Sequence, residues 1–376
     1  MFKFLLINTL PPRKKTLYLW VIKVFDMKRI TVMALLSLLG LFSCKSYKDL
    51  SVEAFQSKLA SDGSVQLLDV RTPQEFVEGH IPGAINIDWL AEGFTEAAQE
   101  ALDPERPVLI YCRRGRRSAE AAHVLDSLSY TVFNLKDGFN QWKNAGVPVT
   151  TYDVERFCAP DGSPVEIYLI KHASLAISYK GLSIQVDPVV SLGTKTTDYA
   201  DEFPEADYVL VTHEHGDHFD KEALGILGGE VITNENCTKL MSKAKMKQPV
   251  RTLANGDSVK LTGDISVEAV PAYNYTEGRL QFHPKGRDNG YILNLGGFRI
   301  YIAGDTEDIP EMAGIKDIDV AFLPCNLPYT MTVDQCINAV KMIKPKVFIP
   351  YHFSATDISG MPEALPGVDV RLRRMQ

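Results

Sequence analysis

Three histidines and one aspartate lie within six residues of each other, directly after an apolar segment. Residues 209–212 are predicted to form the end of a buried strand, and the side chains that follow are His213, His215, Asp217 and His218. Neutral imidazole and carboxylate are the ligands that Zn²⁺ and other borderline first-row metals prefer. The turn after the strand directs His213 and His215 to one point, while Asp217 and His218 reach a second point nearby. The spacing therefore predicts a metal site.

Two further predicted strands end at side chains of the same kind. Residues 298–303 form an apolar run, and Asp305 follows it. Residues 346–351 form another, and His352 follows directly. Each predicted strand thus places one candidate metal ligand where it stops.

From about Val165 to the C-terminus, the chain resembles the metallo-β-lactamase superfamily, whose pattern is H-x-H-x-D-H, then a third histidine, an aspartate and a final histidine. The resemblance implies a four-layer αββα fold that brings these strand ends together. It implies the following ligands: His213 and His215 for a first metal, Asp217, His218 and His352 for a second, and Asp305 as a bridge between them. Asp187, which ends an early strand, matches an aspartate that orients a metal-bound histidine.

One position departs from the superfamily pattern. Asn274 stands where the third histidine is expected, so the first metal lacks one ligand. Three alternatives remain open: Asn274 coordinates weakly, His283 takes the place of the missing ligand, or only the second site is tightly occupied. We expect two Zn²⁺ ions with a weaker first site, and iron or manganese are alternatives.

Several other polar side chains are candidates for contact with a substrate. His283 is one of them, and its neighbours in this group are Tyr273, Arg279, Lys285 and Tyr329, which together suit an anionic group. His172 follows the predicted strand 167–170 and has either a structural role or a place at the rim of the site.

The second half also carries features of a narrower subfamily. Residues 304–307, 324–331 and 350–352 resemble the UlaG-like metallo-hydrolases, and the G-H-T-P-G segment of persulfide dioxygenases is missing. The resemblance implies hydrolysis of an ester, amide or phosphodiester, with Asp217 as the group that orients the attacking water or accepts its proton. Thr332 and Gln335 predict a capped helix that buries Cys336.

The first half contains a cysteine at the start of a predicted helix. The apolar strand 108–111 leads into Cys112, and the loop that follows contains Arg113, Arg114, Gly115, Arg116 and Arg117. A helix N-terminus and neighbouring arginines both favour thiolate over thiol, which is the condition for a nucleophilic cysteine. Backbone N–H groups around the sulfur also suit an anion. The loop therefore predicts a reactive cysteine with an anion-binding surround.

Residues 50–149 resemble the rhodanese family. The matching segments are 67–71, 79–84, the C-x-x-G-x-R loop that begins at Cys112, and 137–142. The resemblance implies that Cys112 accepts a sulfane sulfur as a persulfide and passes it to a thiol or to cyanide. The predicted fold is a doubly wound α/β domain over residues 45–150, joined by a linker at 151–164 to the αββα domain at 165–376.

Composition limits the remaining possibilities. A chain of 376 residues has room for two domains, each with its own core. The net charge is −7 and there is no long basic stripe, so nucleic acid is not an expected partner. The expected partners are a small-molecule substrate and thiols that donate or accept sulfur.

The N-terminal residues are expected to direct the protein to a membrane. Residues 27–29 are basic and residues 30–42 are uncharged, which is too short for a transmembrane helix and typical of a signal peptide. Residues 41–44 resemble a bacterial lipobox in which Cys44 is lipidated, and residues 1–26 are expected to be an upstream extension before the initiator Met27. Lys45 favours the outer membrane, so we expect a lipid-anchored protein of the cell envelope, at the outer membrane or the periplasmic face.

Three functions are compatible with these features. The leading one is a bifunctional enzyme that combines a sulfurtransferase with a metal-dependent hydrolase. The second is a persulfide dioxygenase-like oxidoreductase, since rhodanese modules are found fused to such enzymes. The third is a lipoprotein whose rhodanese module serves for docking or sensing, although the retained Cys112 argues against it.

Overall fold

The computed structural model of the protein describes residues 47–203, 205–373 and 375. The predicted signal segment, Cys44 and Lys45 lie outside these residues. Within the described ranges, no helix has the length and apolar character that crossing a bilayer requires.

The first half is a five-stranded sheet with helices between the strands. The strands follow the order β1-β5-β4-β2-β3, and the pairs β2/β3, β2/β4 and β4/β5 are parallel. The strands are β1 (Lys48–Leu50), β2 (Gln66–Asp69), β3 (Ala84–Asn86), β4 (Val108–Tyr111) and β5 (Val132–Leu135). The helices are α1 (Val52–Ser61), α2 (Pro73–Val77), α3 (Phe94–Ala101), α4 (Arg116–Ser127) and α5 (Gly138–Asn144).

Local sequence explains how these helices start and which face they bury. The Ser51 side chain accepts a hydrogen bond from Ala54 N at the start of α1, and the buried residues Val52, Phe55 and Leu59 follow helical spacing. All four residues of β4 are buried, as expected for a central parallel strand. The predicted α/β fold of this half is confirmed.

The second half consists of two seven-stranded sheets. The first sheet contains β6 (Asp153–Cys158), β7 (Pro164–Lys171), β8 (Ser174–Tyr179), β9 (Leu182–Val186), β12 (Tyr208–Leu210), β13 (Glu230–Thr233) and β14 (Val250–Thr252). A hairpin separates β9 from β12 and contains β10 (Ser191–Leu192) and β11 (Lys195–Thr196). The second sheet contains β15 (Ser258–Thr262), β16 (Ile265–Ala272), β17 (Asp288–Leu295), β18 (Phe298–Ile302), β19 (Val320–Pro324), β20 (Val347–Tyr351) and β21 (Asp369–Val370).

Helices cover the outer faces of both sheets. One apolar cluster lies between the sheets and includes Ile184, Val186 and Ile302. A second joins the first sheet to its helices, and a third joins the second sheet to its helices. The helices are α6 (Tyr199–Glu202), α7 (Lys221–Leu227), α8 (Glu235–Lys243), a 3₁₀ turn (Pro310–Gly314), α9 (Val333–Ile343) and α10 (Met361–Ala364). This confirms the predicted αββα sandwich.

The segment 151–164 differs from the predicted linker. Residues 153–158 form β6, which pairs antiparallel with β7 from Asp153↔Leu169 to Cys158↔Pro164. The segment is therefore the edge strand of the first sheet. The turn formers of residues 159–163 connect β6 to β7 in a hairpin.

Arg156 on β6 joins the two halves. Its guanidinium donates to the carbonyl oxygens of Leu59 and Asp62 at the end of α1, and it forms an ion pair with Glu166 at 2.5 Å. The side chain of Arg156 is only 5% exposed. A buried guanidinium needs such partners, because burying an unpaired charge is costly.

Candidate metal centre and cysteine loop

The histidine-rich segment begins where β12 ends. Asp187, directly after β9, accepts hydrogen bonds from Thr212 N at 2.8 Å and Thr212 Oγ1 at 2.7 Å, which ties two adjacent strand ends together. His215 O then accepts from His218 N at 3.0 Å and from Phe219 N at 2.8 Å. This turn brings His218 back beside the start of the segment.

One group of side chains that could hold a metal contains His213, His215 and His283. His213 Nε2 lies 3.1 Å from His215 Nδ1, and His283 Nε2 lies 3.3 Å from Asp305 Oδ2. His213 and His283 are fully buried. The first group therefore has three imidazoles.

A second group contains His172, Asp217, His218 and His352. Asp217 Oδ2 lies 3.2 Å from His172 Nε2 and 3.5 Å from His352 Nε2. The rings of His172 and His352 are 3.6 Å apart between centroids. The structure thus places His172 within the second group, although the sequence left its role open.

Asp305 lies between the two groups. Its Oδ1 is 3.4 Å from His218 Nε2, and its Oδ2 is 3.3 Å from both His283 Nε2 and His352 Nε2. It also forms a third candidate group with His213 and His218. This position suits a carboxylate that serves both groups.

The side chains present fit a divalent metal. The Nε2 atoms of His218, His283 and His352 and the Oδ1 atom of Asp305 are buried and have no hydrogen-bond partner. Buried polar atoms rarely lack partners, and these four point into one region. Burial lowers the pKa of His283, but Asp288 and Asp305 outweigh it and raise that pKa to about 9. The carboxylates thus stabilise positive charge in a closed site.

Two aspartates outside the groups orient the ligand rings. Asp187 Oδ2 lies 2.8 Å from His218 Nδ1, and Asp288 Oδ2 lies 3.0 Å from His283 Nδ1. Each contact leaves Nε2 free to face the site. Carboxylates in this position fix the tautomer and increase the basicity of a metal-binding histidine.

The backbone is strained at three positions in the site. His172, Asp187 and His352 have φ values of 50°, 40° and 46°, in the left-handed region. Each such conformation costs on the order of 1–3 kcal/mol in a residue with a side chain, and it persists only where the surroundings enforce it. The fold therefore stabilises an arrangement that the local chain disfavours.

The structure distinguishes Asn274 from His283. The Asn274 amide donates from Nδ2 to Tyr329 O at 2.8 Å and to Arg279 O at 3.3 Å, so it braces a loop. His283, predicted either as a substrate contact or as the replacement ligand, belongs to the first candidate ligand group. Among the three alternatives, this geometry favours replacement of the missing histidine by His283. The signal that sequence reasoning missed was Asp288, five residues after His283.

The predicted anionic pocket also differs from the structure. Arg279 Nε pairs with Glu307 Oε1 at 3.0 Å, and Lys285 Nζ pairs with Glu311 Oε1 at 2.8 Å. These carboxylates neutralise the two cations that were expected to receive an anion.

Cys112 lies at the end of β4, next to the first turn of α4. Its side chain is 1% exposed, and Ser118 Oγ donates to its Sγ at 3.4 Å. Among the described loop and turn contacts, no N–H group of residues 113–118 donates to a backbone carbonyl. Residues 116–118 form the first turn of α4, where N–H groups without a helical partner favour an anion.

Two glycines permit this loop to form. A Cβ added to Gly115 would lie 1.8 Å from Lys136 O, and one added to Gly138 would lie 2.6 Å from Cys112 O. Both residues have positive φ. Only glycine allows the loop and the start of α5 to approach so closely.

The four arginines of the loop do not act alike. Arg113, Arg114 and Arg116 are exposed. Arg117 Nη1 instead pairs with Glu75 Oε2 at 2.8 Å. This hydrogen bond is the main reason that the pKa of Glu75 falls to about 2. Arg117 therefore fixes the loop to α2, and Arg116 pairs with Glu120 at 3.4 Å, so Arg113 and Arg114 are the exposed arginines that best suit a ligand.

Fold and site together define the class of this protein: a metallo-β-lactamase-fold sandwich with a rhodanese-like domain before it. Residues 166–352 match the family described as the β-lactamase superfamily domain, and residues 51–145 match the rhodanese-like domain. The chain belongs, through its second half, to the UPF0173 family of metal-dependent hydrolases.

Individual relatives support this assignment. A UPF0173 metal-dependent hydrolase of Nanoarchaeum equitans is 32% identical over 208 residues, which are 52% of this chain and 86% of that protein. One from Thermus thermophilus is 30% identical over 196 residues, covering 50% of this chain and 84% of that protein. A crystal structure described as a metal-dependent hydrolase from Parabacteroides distasonis is 47% identical, covers 60% of this chain and 100% of that one, and has a TM-score of 0.56.

Proposed function

We propose that the protein is a bifunctional enzyme in which a two-zinc, UlaG-like hydrolase acts on an ester, amide or phosphodiester and the Cys112 loop transfers sulfane sulfur. The observation that carries the hydrolase proposal is the set of buried, unpartnered ligand atoms of His218, His283, His352 and Asp305. These atoms surround one region from four different strand ends or loops.

The two carboxylates among the candidate metal ligands differ in their exposure to solvent. The chemistry that divalent metals supply in such sites is activation of water at near-neutral pH and polarisation of the scissile group. The side chain of Asp217 is 33% exposed, whereas that of Asp305 is 3% exposed. Asp217 is therefore the carboxylate that can meet substrate and accept a proton at Oδ2. His172, in contact with that oxygen, holds it in place.

The sulfur-transfer step uses the Cys112 loop. The Cys112 thiolate attacks the sulfane sulfur of thiosulfate, a new S–S bond forms, and the old S–S bond breaks to release sulfite. An acceptor thiolate or cyanide then attacks the outer sulfur of the persulfide and restores the Cys112 thiolate. The loop N–H groups and the exposed arginines would hold the anionic donor.

We also propose that a lipid anchor at Cys44 holds both activities at the cell envelope. This proposal rests on the sequence of residues 27–45 alone. Labelled fatty acid should attach to the wild-type protein and not to the Cys44→Ala variant. Recovery of the wild-type protein from the soluble cytoplasmic fraction would contradict it.

Metal reconstitution tests the hydrolase proposal. Chelator-treated full chain should lose hydrolysis of bis(p-nitrophenyl) phosphate and p-nitrophenyl acetate, and Zn²⁺ should restore it at two ions per chain. Iron or manganese is added to parallel samples of the chelator-treated protein. The His123→Ala variant is the matched control, because His123 belongs to neither ligand group. Oxygen consumption with a persulfide in the iron-loaded protein would instead support the oxidoreductase alternative.

A further inference from the structure

Large apolar side chains are concentrated on two loops beside the metal groups. Nine such side chains are exposed among the described residues, and four of them lie on the loops 273–287 and 325–331, which we call the rim. They are Tyr275 (48% exposed), Leu280 (50%), Leu327 (52%) and Tyr329 (46%). Contiguous apolar exposure usually marks a place that binds something, since water contact with it is unfavourable.

The two rim loops are joined to each other. Asn274 Nδ2 donates to Tyr329 O at 2.8 Å, and the rings of Phe282 and Tyr329 are 5.0 Å apart in an edge-to-face arrangement. Arg279 Nη1 donates to Thr330 O at 3.0 Å. The rim is thus one braced surface and its apolar groups have fixed positions.

The rim is also continuous with the candidate ligands. His283 follows Phe282 directly on the first loop. The second loop starts at Cys325, whose N–H donates to His352 O at 3.3 Å. Both rim loops therefore adjoin candidate ligands, one through His283 and the other through His352.

The cations of the rim are held by carboxylates. Every lysine and arginine of the two loops, all of which the structure describes, is paired with a carboxylate: Arg279 with Glu307, Lys285 with Glu311 and Arg287 with Asp288. The rim therefore offers no free cation to a second anionic group.

We infer that the rim binds an apolar chain of the substrate, so that the hydrolysed compound is an ester or phosphodiester with an alkyl or acyl tail. This inference rests on the proposed hydrolase function. A second copy of this chain and a bilayer surface are the other possible occupants, and the experiment separates them from a substrate tail.

The test is chain-length dependence in the zinc-loaded full chain. Rates of hydrolysis are measured for p-nitrophenyl acetate, butyrate and octanoate below their critical micelle concentrations. Binding of methylphosphonate and octylphosphonate is measured by calorimetry. Burial of each methylene is worth about fourfold in affinity, so kcat/KM and phosphonate affinity should rise steeply with chain length. The Leu280→Ser/Leu327→Ser double variant should lower the octanoate-to-acetate ratio at least about tenfold. The matched control is Leu90→Ser, since Leu90 is 67% exposed in the other half.

The outcomes separate this inference from the proposed function. Hydrolysis with equal kcat/KM for acetate and octanoate overturns the apolar tail and leaves the hydrolase intact. Tight octylphosphonate binding without any hydrolysis supports binding of an apolar chain at the rim and contradicts the proposed hydrolase function. Equal binding of both phosphonates overturns the inference even if the variants do not fold. If chain length has no effect, two other results assign the rim to a different occupant. A wild-type dimer that becomes a monomer in the double variant assigns it to a second copy. Vesicle binding by the wild type that the double variant loses assigns it to a bilayer.

Discussion

The two candidate sites are built in opposite ways. The cysteine loop comes from a single stretch, residues 112–118, between one strand and one helix. The metal groups take side chains from segments as far apart as His172 and His352, and Asp305 lies between the two groups in contact with both. A local site depends on the conformation of one loop, whereas a distributed site depends on the registry of two sheets.

This difference predicts how each site responds to a single change. Removal of one side chain from the metal groups should also destabilise the side chains beside it, because buried charges and hydrogen bonds in a network stabilise one another. Loss of one group in the local loop stays local, because the loop is held by backbone geometry at Gly115 and Gly138.

The largest effect is expected for Asp305→Ala. The carboxylate lies against His218, His283 and His352, so its removal should abolish binding of both metals. Hydrolysis should fall on the order of 10⁴-fold, the equivalent of several kcal/mol. Metal content by mass spectrometry and rates with the phosphodiester probe measure this. Asp308→Ala is the control, and retention of two metals by Asp305→Ala would contradict a bridging role.

Cys112→Ser should silence only the local site. Thiocyanate formation from thiosulfate and cyanide should fall on the order of 10³-fold or more, because a hydroxyl cannot carry the sulfane sulfur. Metal content and hydrolysis should be unchanged. Cys158→Ser is the matched control, since Cys158 is exposed. If Cys112→Ser also silences the metal half, the two sites share a sulfur intermediate and the comparison fails.

His283→Ala and Asn274→Ala sharpen the ligand assignment. His283→Ala should weaken one of two metal-binding steps by about 10- to 100-fold, and Asp288→Asn should have a smaller effect in the same direction. Asn274→Ala should have a smaller effect on metal affinity than His283→Ala, because two hydrogen bonds from Asn274 Nδ2 to loop carbonyls give this side chain a role in bracing the loop. Titration of the metal-free protein resolves the two steps. An effect of Asn274→Ala larger than that of His283→Ala would reverse the assignment.

The smallest effect concerns the ion pair that joins the cysteine loop to α2. The hydrogen bond from Arg117 holds the pKa of Glu75 at about 2, below its usual 4.5. A depressed carboxyl pKa stabilises the fold above pH 4.5, and this contribution disappears as the pH falls toward 2. Glu75→Gln should therefore cost about 1 kcal/mol at pH 6 and almost nothing near pH 2. Melting temperatures of both proteins at the two pH values test this, and an equal difference at both would contradict it.

Much of this architecture could be predicted from local pattern. The positions of Asp305 and His352 at predicted strand ends indicated that both lie beside the histidine segment. The Thr332/Gln335 capping box predicted α9 and the burial of Cys336, and the structure confirms both. These features depend on neighbours in sequence, where spacing carries the information.

Two features could not be predicted in this way. His283 lies in a loop without hydrophobic periodicity, and contacts with distant residues hold that loop in place, such as those of Glu307, which accepts from Tyr275 N at 2.9 Å and Thr276 N at 2.8 Å. β6 lies before a run of turn formers and gains its structure from pairing with β7. In both cases the determining contacts are with partners that sequence order does not reveal.

The position of β6 has a consequence for synthesis of the chain. Domains generally fold from the N-terminus as they are made. The carbonyl oxygens of Leu59 and Asp62 are therefore in place when Arg156 emerges, and they can hold the first strand of the sandwich before any other strand of its sheet exists. The first domain would then act as a template on which the second begins to assemble.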